Sequence, residues 1–246
     1  MNCSFIVPVN NEKQYEKLQK SLTDFKDYEL IPIRGAKSFF DAWRQGLKKV
    51  TKKYICLTHQ DTEYVGIPDL DKYFKDKVGM IGTAGTTVLH VDQPWWFSKE
   101  RFMGGILSGQ IFYPEGNENK LSPFGSFGEV VVLDGVCMIT TKEILGRFFA
   151  DTMYDEYKTY GLEKTEWTAY VDKIKKKYPQ LMDKTYGAWD FYDHMLSLEL
   201  IKRGYKLLTV PIVMTHASKG GDKRPSFFTD MDVFKEEYLK NKTWRI

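Results

Sequence analysis

Cys3-Ser4-Phe5-Ile6-Val7-Pro8-Val9-Asn10-Asn11 is the stretch that decides the fold. It is an uncharged, mostly apolar run closed by two asparagines. A half-exposed strand would alternate apolar and polar residues, so this run reads as a strand buried on both faces. Such strands belong to sheets covered by helices, and the sequence downstream supplies them. Tyr15, Leu18 and Leu22 recur at helical spacing. Tyr28 to Ile33 reads as a second strand, followed by a helix whose apolar face carries Phe39, Phe40, Trp43 and Leu47. Tyr54 to Leu57 makes a third strand. Leu70, Tyr73 and Phe74 then mark a helix before a fourth strand, Val78 to Ile81. Strand and helix in regular succession imply right-handed βαβ units. The expected class is α/β, with a mostly parallel, Rossmann-like central sheet flanked by helices.

The alternation stops between Gly85 and Gly128, where glycine, proline and the aromatics Trp95, Trp96, Phe97 and Phe102 replace it. A long irregular segment in a compact domain is usually functional. Glu129 to Thr140 resumes as a strand-like run broken by Asp134-Gly135. A lysine-rich stretch reads as helical to about Tyr178, and Ala188 to Arg203 as a helix stopped by Gly204. Tyr205 to Met214 reads as extended, and Pro211 makes it an edge or irregular strand. The whole, 1–246, is expected to be one domain. Its parts are a first half (1–84), an irregular second half (85–216), and a C-terminal loop and tail (217–246).

Composition narrows the function classes. With 36 basic and 33 acidic residues the net charge is only +3, far from the basic excess of a dedicated nucleic-acid binder. Cys3, Cys56 and Cys137 lack metal-type spacing and sit in apolar runs. They read as reduced core residues, which suits a cytoplasmic protein. No apolar run reaches the roughly 20 residues of a membrane span. Lys173, Lys175, Lys176 and Lys177 read as a solvated helix face, with peripheral contact to an anionic lipid surface as the sharper alternative.

In open α/β sheets, ligands bind beyond the carboxyl ends of the strands. That rule selects Asn10 and Asn11, Arg34, His59 through Asp61, and the turn from Gly82 to Gly85. His59 and Asp61, at alternate positions leaving a strand, could both reach one divalent ion if the backbone turns there. Taken alone, the tripeptide fits a turn-capping Asp and a packed His more readily. Arg34 is either a fork for a base or phosphate or a surface residue of a turn. Trp95 and Trp96 are either a platform for a sugar ring or anchors of their loop.

Several segments together resemble family 2-type GT-A glycosyltransferases. The run from Ser4 to Glu12 is similar to their opening strand, and Tyr54 to Asp61 to the strand ending in their DxD motif. Asp134 to Glu143 is similar to the acceptor-side strand and its following helix. Phe191 to Leu198 with Arg203-Gly204-Tyr205 resembles the catalytic Glu-Asp helix, and Val213 to Ser218 the late strand with a metal-binding His. The closest likeness is to a subgroup in which His-Gln-Asp replaces DxD and Tyr-Asp replaces Glu-Asp.

The resemblance implies an inverting transferase that moves a sugar from a nucleoside-diphosphate sugar, a UDP-sugar above all, to a saccharide or other hydroxyl acceptor. It implies a divalent cofactor, Mn²⁺ or Mg²⁺, held by Asp61, His216 and His59. Asp193 would be the general base. Pro8, Val9, Asn11 (or Glu12), Arg34 and Gln60 would meet the nucleotide, and Asp134 the substrate. Lys219, Lys223 and Arg224, beside Gly220-Gly221, would close over the diphosphate. His for the first Asp, Tyr192 for Glu, and a longer segment around 157–182 depart from the pattern. They leave a catalytically weak or inactive nucleotide-sugar-binding module as the alternative. A nucleotidyltransferase ranks lower, because Val9 to Lys13 lacks a glycine-rich phosphate loop.

Overall fold

The structure, a computed structural model, describes residues 1–90, 95, 127–149 and 189–217. It adds three strands between 106 and 123 and short pieces at 227–228, 231–232, 234–235 and 244–245. As far as the third strand the chain follows the expected alternation closely. Strand β1 (Cys3–Val9) is buried along its whole length. Helix α1 (Glu12–Ser21) buries Tyr15 and Leu18 and starts where Asn11 Oδ1 accepts from Gln14 N, a side-chain N-cap. Strand β2 (Tyr28–Arg34) leads to α2 (Phe39–Leu47), capped by Ser38, and then β3 (Tyr54–Thr58).

The chain then departs from expectation. After β3 it turns at once into β4 (Thr62–Gly66), a strand the sequence pattern does not announce. The helix expected around Leu70, Tyr73 and Phe74 is only one 3₁₀ turn, Leu70–Lys72. Little chain is left between β4 and β5 (Val78–Gly82), and Asp76 and Lys77 take left-handed φ values of 48° and 67° to re-enter the sheet. Short strands follow: β6 (Ala84–Thr86), β7 (Val88–Leu89), β8 (Ile106–Ser108), β9 (Gln110–Tyr113) and β10 (Lys120–Pro123).

The run from Glu129 to Thr140 resolves into β11 (Glu129–Val130), β12 (Val132–Leu133) and β13 (Cys137–Thr141), broken at Asp134-Gly135 as its sequence suggests. Helix α3 (Lys142–Phe148) follows. Helix α4 spans Tyr192–Lys202, beginning later than Ala188, and Gly204 ends it with φ 81°. Tyr205 to Met214 is not one edge strand but two strands, β14 (Lys206–Thr209) and β15 (Val213–His216). Pro211 lies in the break between them, so it costs neither strand a ladder hydrogen bond. That is why β14 can sit inside the sheet. Strand β16 (Trp244–Arg245) pairs with β7.

The central sheet has seven strands in the order β11-β14-β5-β13-β3-β1-β2. β1 runs parallel to β2 and β3, and β14 parallel to β5, whereas β13 and β11 run antiparallel to their neighbours. The sheet is therefore mixed, with helices flanking it, in a Rossmann-like α/β arrangement. A second sheet, β10-β9-β15-β4, stands beside it. The three cysteines are buried free thiols; Cys56 and Cys137 Sγ lie 3.8 Å apart. Among the described residues no helix is long and apolar enough to cross a membrane. The lysine-rich stretch and residues 218–226 lie outside the described residues.

Helix α2 lies tightly on β1. A Cβ built on Gly46 would come within 2.4 Å of Ile6 Cγ2, and Ile6 is fully buried. Gly46→Ala should therefore destabilise the fold by about 1–3 kcal/mol through overpacking. That outweighs the gain of about 1 kcal/mol in helix propensity. A denaturant titration checks it: the midpoint is expected to fall, and an unchanged or higher midpoint would contradict the close packing.

Candidate functional site

The turn from Thr58 to Thr62 joins β3 to β4 and carries His59-Gln60-Asp61. Hydroxyl groups fix its shape. Thr62 Oγ1 donates to the His59 carbonyl at 2.9 Å, and Thr58 Oγ1 donates to the Val136 carbonyl at 2.9 Å. Tyr64 Oη donates to Thr58 Oγ1 at 2.8 Å. The second sheet then brings in a residue from the far end of the chain. β15 pairs antiparallel with β4, setting His216 opposite Thr62, and Ala217 N donates to the Asp61 carbonyl at 2.9 Å.

The result is a three-donor cluster of His59, Asp61 and His216, whose ligand atoms all lie within 4.8 Å of one another. Asp61 Oδ1 is 3.8 Å from His59 Nδ1 and 3.5 Å from His216 Nε2. Metal–ligand bonds of about 2.1 Å put adjacent donors about 3 Å apart and opposite ones about 4.2 Å apart. A contraction of about half an ångström to one ångström would therefore seat an ion. One carboxylate with two imidazoles suits a borderline divalent cation and leaves the remaining coordination positions open. All three residues are partly buried. Burial opposes ionisation of Asp61. The hydrogen bond to His216 and the nearby imidazoles outweigh it, and the carboxyl is held below its ordinary range. The donor is thus the charged form a metal requires.

His59 is braced on its other side. Its Nε2 is hydrogen-bonded to Tyr192 Oη, the first residue of α4. Phe39 stacks on both rings, with centroids 3.8 Å from Tyr192 and 5.2 Å from His59. Gly135 makes room for Tyr192, since a Cβ there would lie 2.3 Å from its hydroxyl. Phe191, just before, is held at a left-handed φ of 59°, a conformation a bulky side chain adopts only at a cost.

Two further carboxylates line this region, and their environments differ. Asp193 is 7% exposed. Its Oδ1 accepts from the backbone N and the Nδ1 of His194, both at 2.8 Å, and its Oδ2 accepts from Gly135 N at 3.1 Å. Burial pushes its pKa up, but the neighbouring His194 and these donors overcome that and lower it. His194 is fully buried and completes a chain, with its Nε2 accepting from Trp95 N at 3.4 Å. Asp134 is half-buried and accepts from Val136 N at 2.9 Å. Burial first, and the charge of Asp193 second, raise its pKa to about 6.

The other sequence candidates fall into place unevenly. Gln60 faces β1 rather than the cluster. Its Oε1 accepts from Asn10 N at 2.8 Å and Asn11 N at 2.9 Å, and its Nε2 donates to Asn10 Oδ1. It therefore ties the end of β1 to the turn that carries His59 and Asp61. Pro8 and Val9 are buried at that strand end, leaving mainly backbone to a ligand. Asn11 uses its side chain as the cap of α1. Arg34 forms a two-pronged ion pair with Glu12, at 2.7 and 2.8 Å, so an incoming nucleotide would have to compete with that carboxylate. Trp95 is 3% exposed and packs in the core, as the anchor reading expects. Trp96, Lys219, Lys223 and Arg224 lie outside the described residues. The sequence pattern gave no sign of Phe39 or His194 as parts of the site. The adjacency of Asp193 and His194 was the one available hint.

A family model described as a glycosyltransferase-like family matches residues 4–179. No curated protein sequence matches the chain. Among solved structures, the crystal structure of GalNAc-T7 with UDP, GalNAc and Mn²⁺ superposes with a TM-score of 0.54 at 11% identity. The match covers 98% of this chain and 48% of that one, so this chain spans about half its length. A mannosyltransferase of Pyrobaculum calidifontis in complex with GDP-Man and Mn²⁺ gives a TM-score of 0.43 at 11% identity, covering 96% and 70%. The inositol-1-phosphate CTP transferase of T. maritima gives 0.43 at 11%, covering 97% and 98%.

The raised pKa of Asp134 has a stability consequence. A carboxyl that titrates at about 6 in the fold and at about 3.9 when unfolded binds its proton more tightly folded. The folded state therefore loses stability as pH rises from about 4 to about 6 and carries the full cost above that. Asp134→Asn keeps an acceptor for Val136 N and removes the charge. It should raise stability by about 1–2 kcal/mol at pH 7.5, discounted for partial exposure, with no gain near pH 3.5. Thermal unfolding of both proteins at the two pH values checks this.

Proposed function

The chain belongs to this glycosyltransferase-like family, and we propose that it transfers a sugar from a nucleoside-diphosphate sugar, a UDP-sugar above all, to a saccharide or other hydroxyl acceptor. The observation that carries the reading is the His59–Asp61–His216 cluster beside the carboxyl end of β1, where this fold class takes its ligand. A divalent ion held there, when bound, would offset the diphosphate charge and stabilise it as a leaving group. Two imidazole donors favour Mn²⁺ over Mg²⁺, which prefers oxygen ligands.

The remaining roles fall to the chain itself. The end of β1, held to the metal turn by Gln60, would receive the nucleotide beside Pro8, Val9 and Asn11. Arg34 would leave Glu12 to meet a base or phosphate. Inverting transfer needs a base on the acceptor side. As the acceptor oxygen bonds to the anomeric carbon, the bond to the diphosphate breaks and the diphosphate keeps the electron pair. The acceptor proton passes to a carboxylate. The family resemblance assigns that role to Asp193, which is held ionised near the start of α4. A second assignment, Asp134, is favoured by its exposure and a pKa of about 6, nearer the ideal for a base at neutral pH. A binding module without turnover is the alternative. What favours it is that both Asp193 oxygens already accept hydrogen bonds.

Donor hydrolysis or transfer, measured over a panel of nucleotide sugars with Mn²⁺, tests the reading. Asp61→Ala should lower turnover by about 100-fold or more, as loss of a charge-stabilising group in a transition state does. Full turnover in that variant would remove the metal role, and nucleotide binding with no turnover on any donor would leave the binding module.

The base is assigned by pH. A base works deprotonated, so kcat/KM falls as pH drops below its pKa. If Asp134 is the base, the acid limb should fall near pH 6. If Asp193 is the base, it should fall below the ordinary carboxylate range. Asp193→Asn or Asp134→Asn, whichever is the base, should lose transfer while retaining donor affinity.

A further inference from the structure

Tyr192, the first residue of α4, has its side chain built into the centre rather than turned away. Its ring is buried between Phe39 and the cleft left by Gly135. Its hydroxyl meets Nε2 of His59, while Nδ1 of the same ring faces Asp61. Imidazole is asymmetric. Only a nitrogen without its proton can bind a metal, and in the neutral ring the proton then resides on the other nitrogen. For Nδ1 to serve as ligand, Nε2 must keep its hydrogen and needs an acceptor.

We propose that Tyr192 is a positioning residue that fixes His59 as a metal ligand. Its Oη accepts the Nε2 hydrogen, holds the Nε2–H tautomer, and leaves the Nδ1 lone pair aimed at the ion shared with Asp61 and His216. This rests on the metal reading above. Partners on the distal nitrogen of a ligating histidine commonly play this part, usually as a carboxylate or carbonyl. A tyrosine hydroxyl can accept as they do, and it brings no negative charge to a pocket that already holds Asp134 and Asp193. It can also reverse and donate. The metal-free protein can therefore populate the other tautomer, with Nδ1–H directed at Asp61, until the cation arrives. The Phe39 stack fixes the plane of the ring, and the tyrosine selects which nitrogen faces inward.

The test uses Tyr192→Phe, which keeps the ring and its stacking and removes only the hydroxyl. Mn²⁺ binding is followed by the electron paramagnetic resonance signal of the free ion. The tautomer of His59 is read from the imidazole ¹⁵N shifts of the protein loaded with Zn²⁺, a diamagnetic stand-in. In the wild type, the His59 shifts should show Nδ1 metallated and Nε2 protonated. The variant should unfold within a few degrees of the wild type and bind Mn²⁺ about 10–100-fold more weakly, with the His59 Nε2–H signal lost or broadened by exchange. Unchanged Mn²⁺ affinity in Tyr192→Phe overturns the inference, as does metallation at Nε2 in the wild type. Asp61→Ala separates the two levels. If it binds Mn²⁺ as tightly as the wild type, the metal reading itself fails and this inference with it. If only Asp61→Ala loses binding, the metal reading stands and the role of Tyr192 falls.

Discussion

The antiparallel pairing of β15 with β4 is the constraint on which the site depends. It sets His216 beside the turn that carries His59 and Asp61, and without it the cluster would lack its third donor. The pairing requires β4 to leave β3 through a tight turn, and that turn is held by Thr58, Thr62 and Tyr64. A strand in one sheet, a strand in another and the hydroxyls between them thus produce three donors around one point. Each individual contact is an ordinary hydrogen bond of modest net worth. Their geometry matters more here than their energy.

The neighbouring elements each fix one degree of freedom of that cluster. Gln60 ties the turn to the end of β1. Phe39, from the first turn of α2, sets the plane of the His59 ring. α4 begins at Tyr192 and delivers two consecutive side chains, one to His59 and one to the loop at Gly135. The same helix start holds Phe191 in a left-handed conformation. Strain there, and two carboxylates close enough for one to raise the pKa of the other, are costs to stability that the well-packed sheet supports. Costs of this kind tend to collect at functional sites.

How much of this could be read from the sequence follows from the range of each signal. β1 and β3 are legible because burial on both faces gives apolar runs, and β2 and the two helices because their apolar positions recur at strand or helical spacing within a few residues. β4 is not, because Thr62-Glu63-Tyr64-Val65-Gly66 is short and its hydrophobic pattern weak. Its existence depends on a partner strand far along the chain. The interior place of β14 was hidden for the opposite reason. Pro211 is a strong local signal for an edge, but it falls between two strands rather than within one. Asp61, His59 and His216 could be named from resemblance, and the cluster brings them together. Gln60 could be named but not understood, since its partners are backbone groups of β1. Trp95 shows the limit of composition, because an aromatic near a site is as readily a core anchor as a sugar platform.

The central claim is that His59, Asp61 and His216 make one divalent-cation site that presents a nucleoside diphosphate to the rest of the fold. Thermal unfolding with UDP, in the presence and absence of Mn²⁺, tests it most directly, because a ligand that binds the folded state alone raises the unfolding temperature. The account expects UDP to stabilise the protein with Mn²⁺ present, to do so little or not at all without it, and to lose its effect in His216→Ala. Equal stabilisation by UDP with and without metal, or an undiminished metal-dependent shift in His216→Ala, would contradict it.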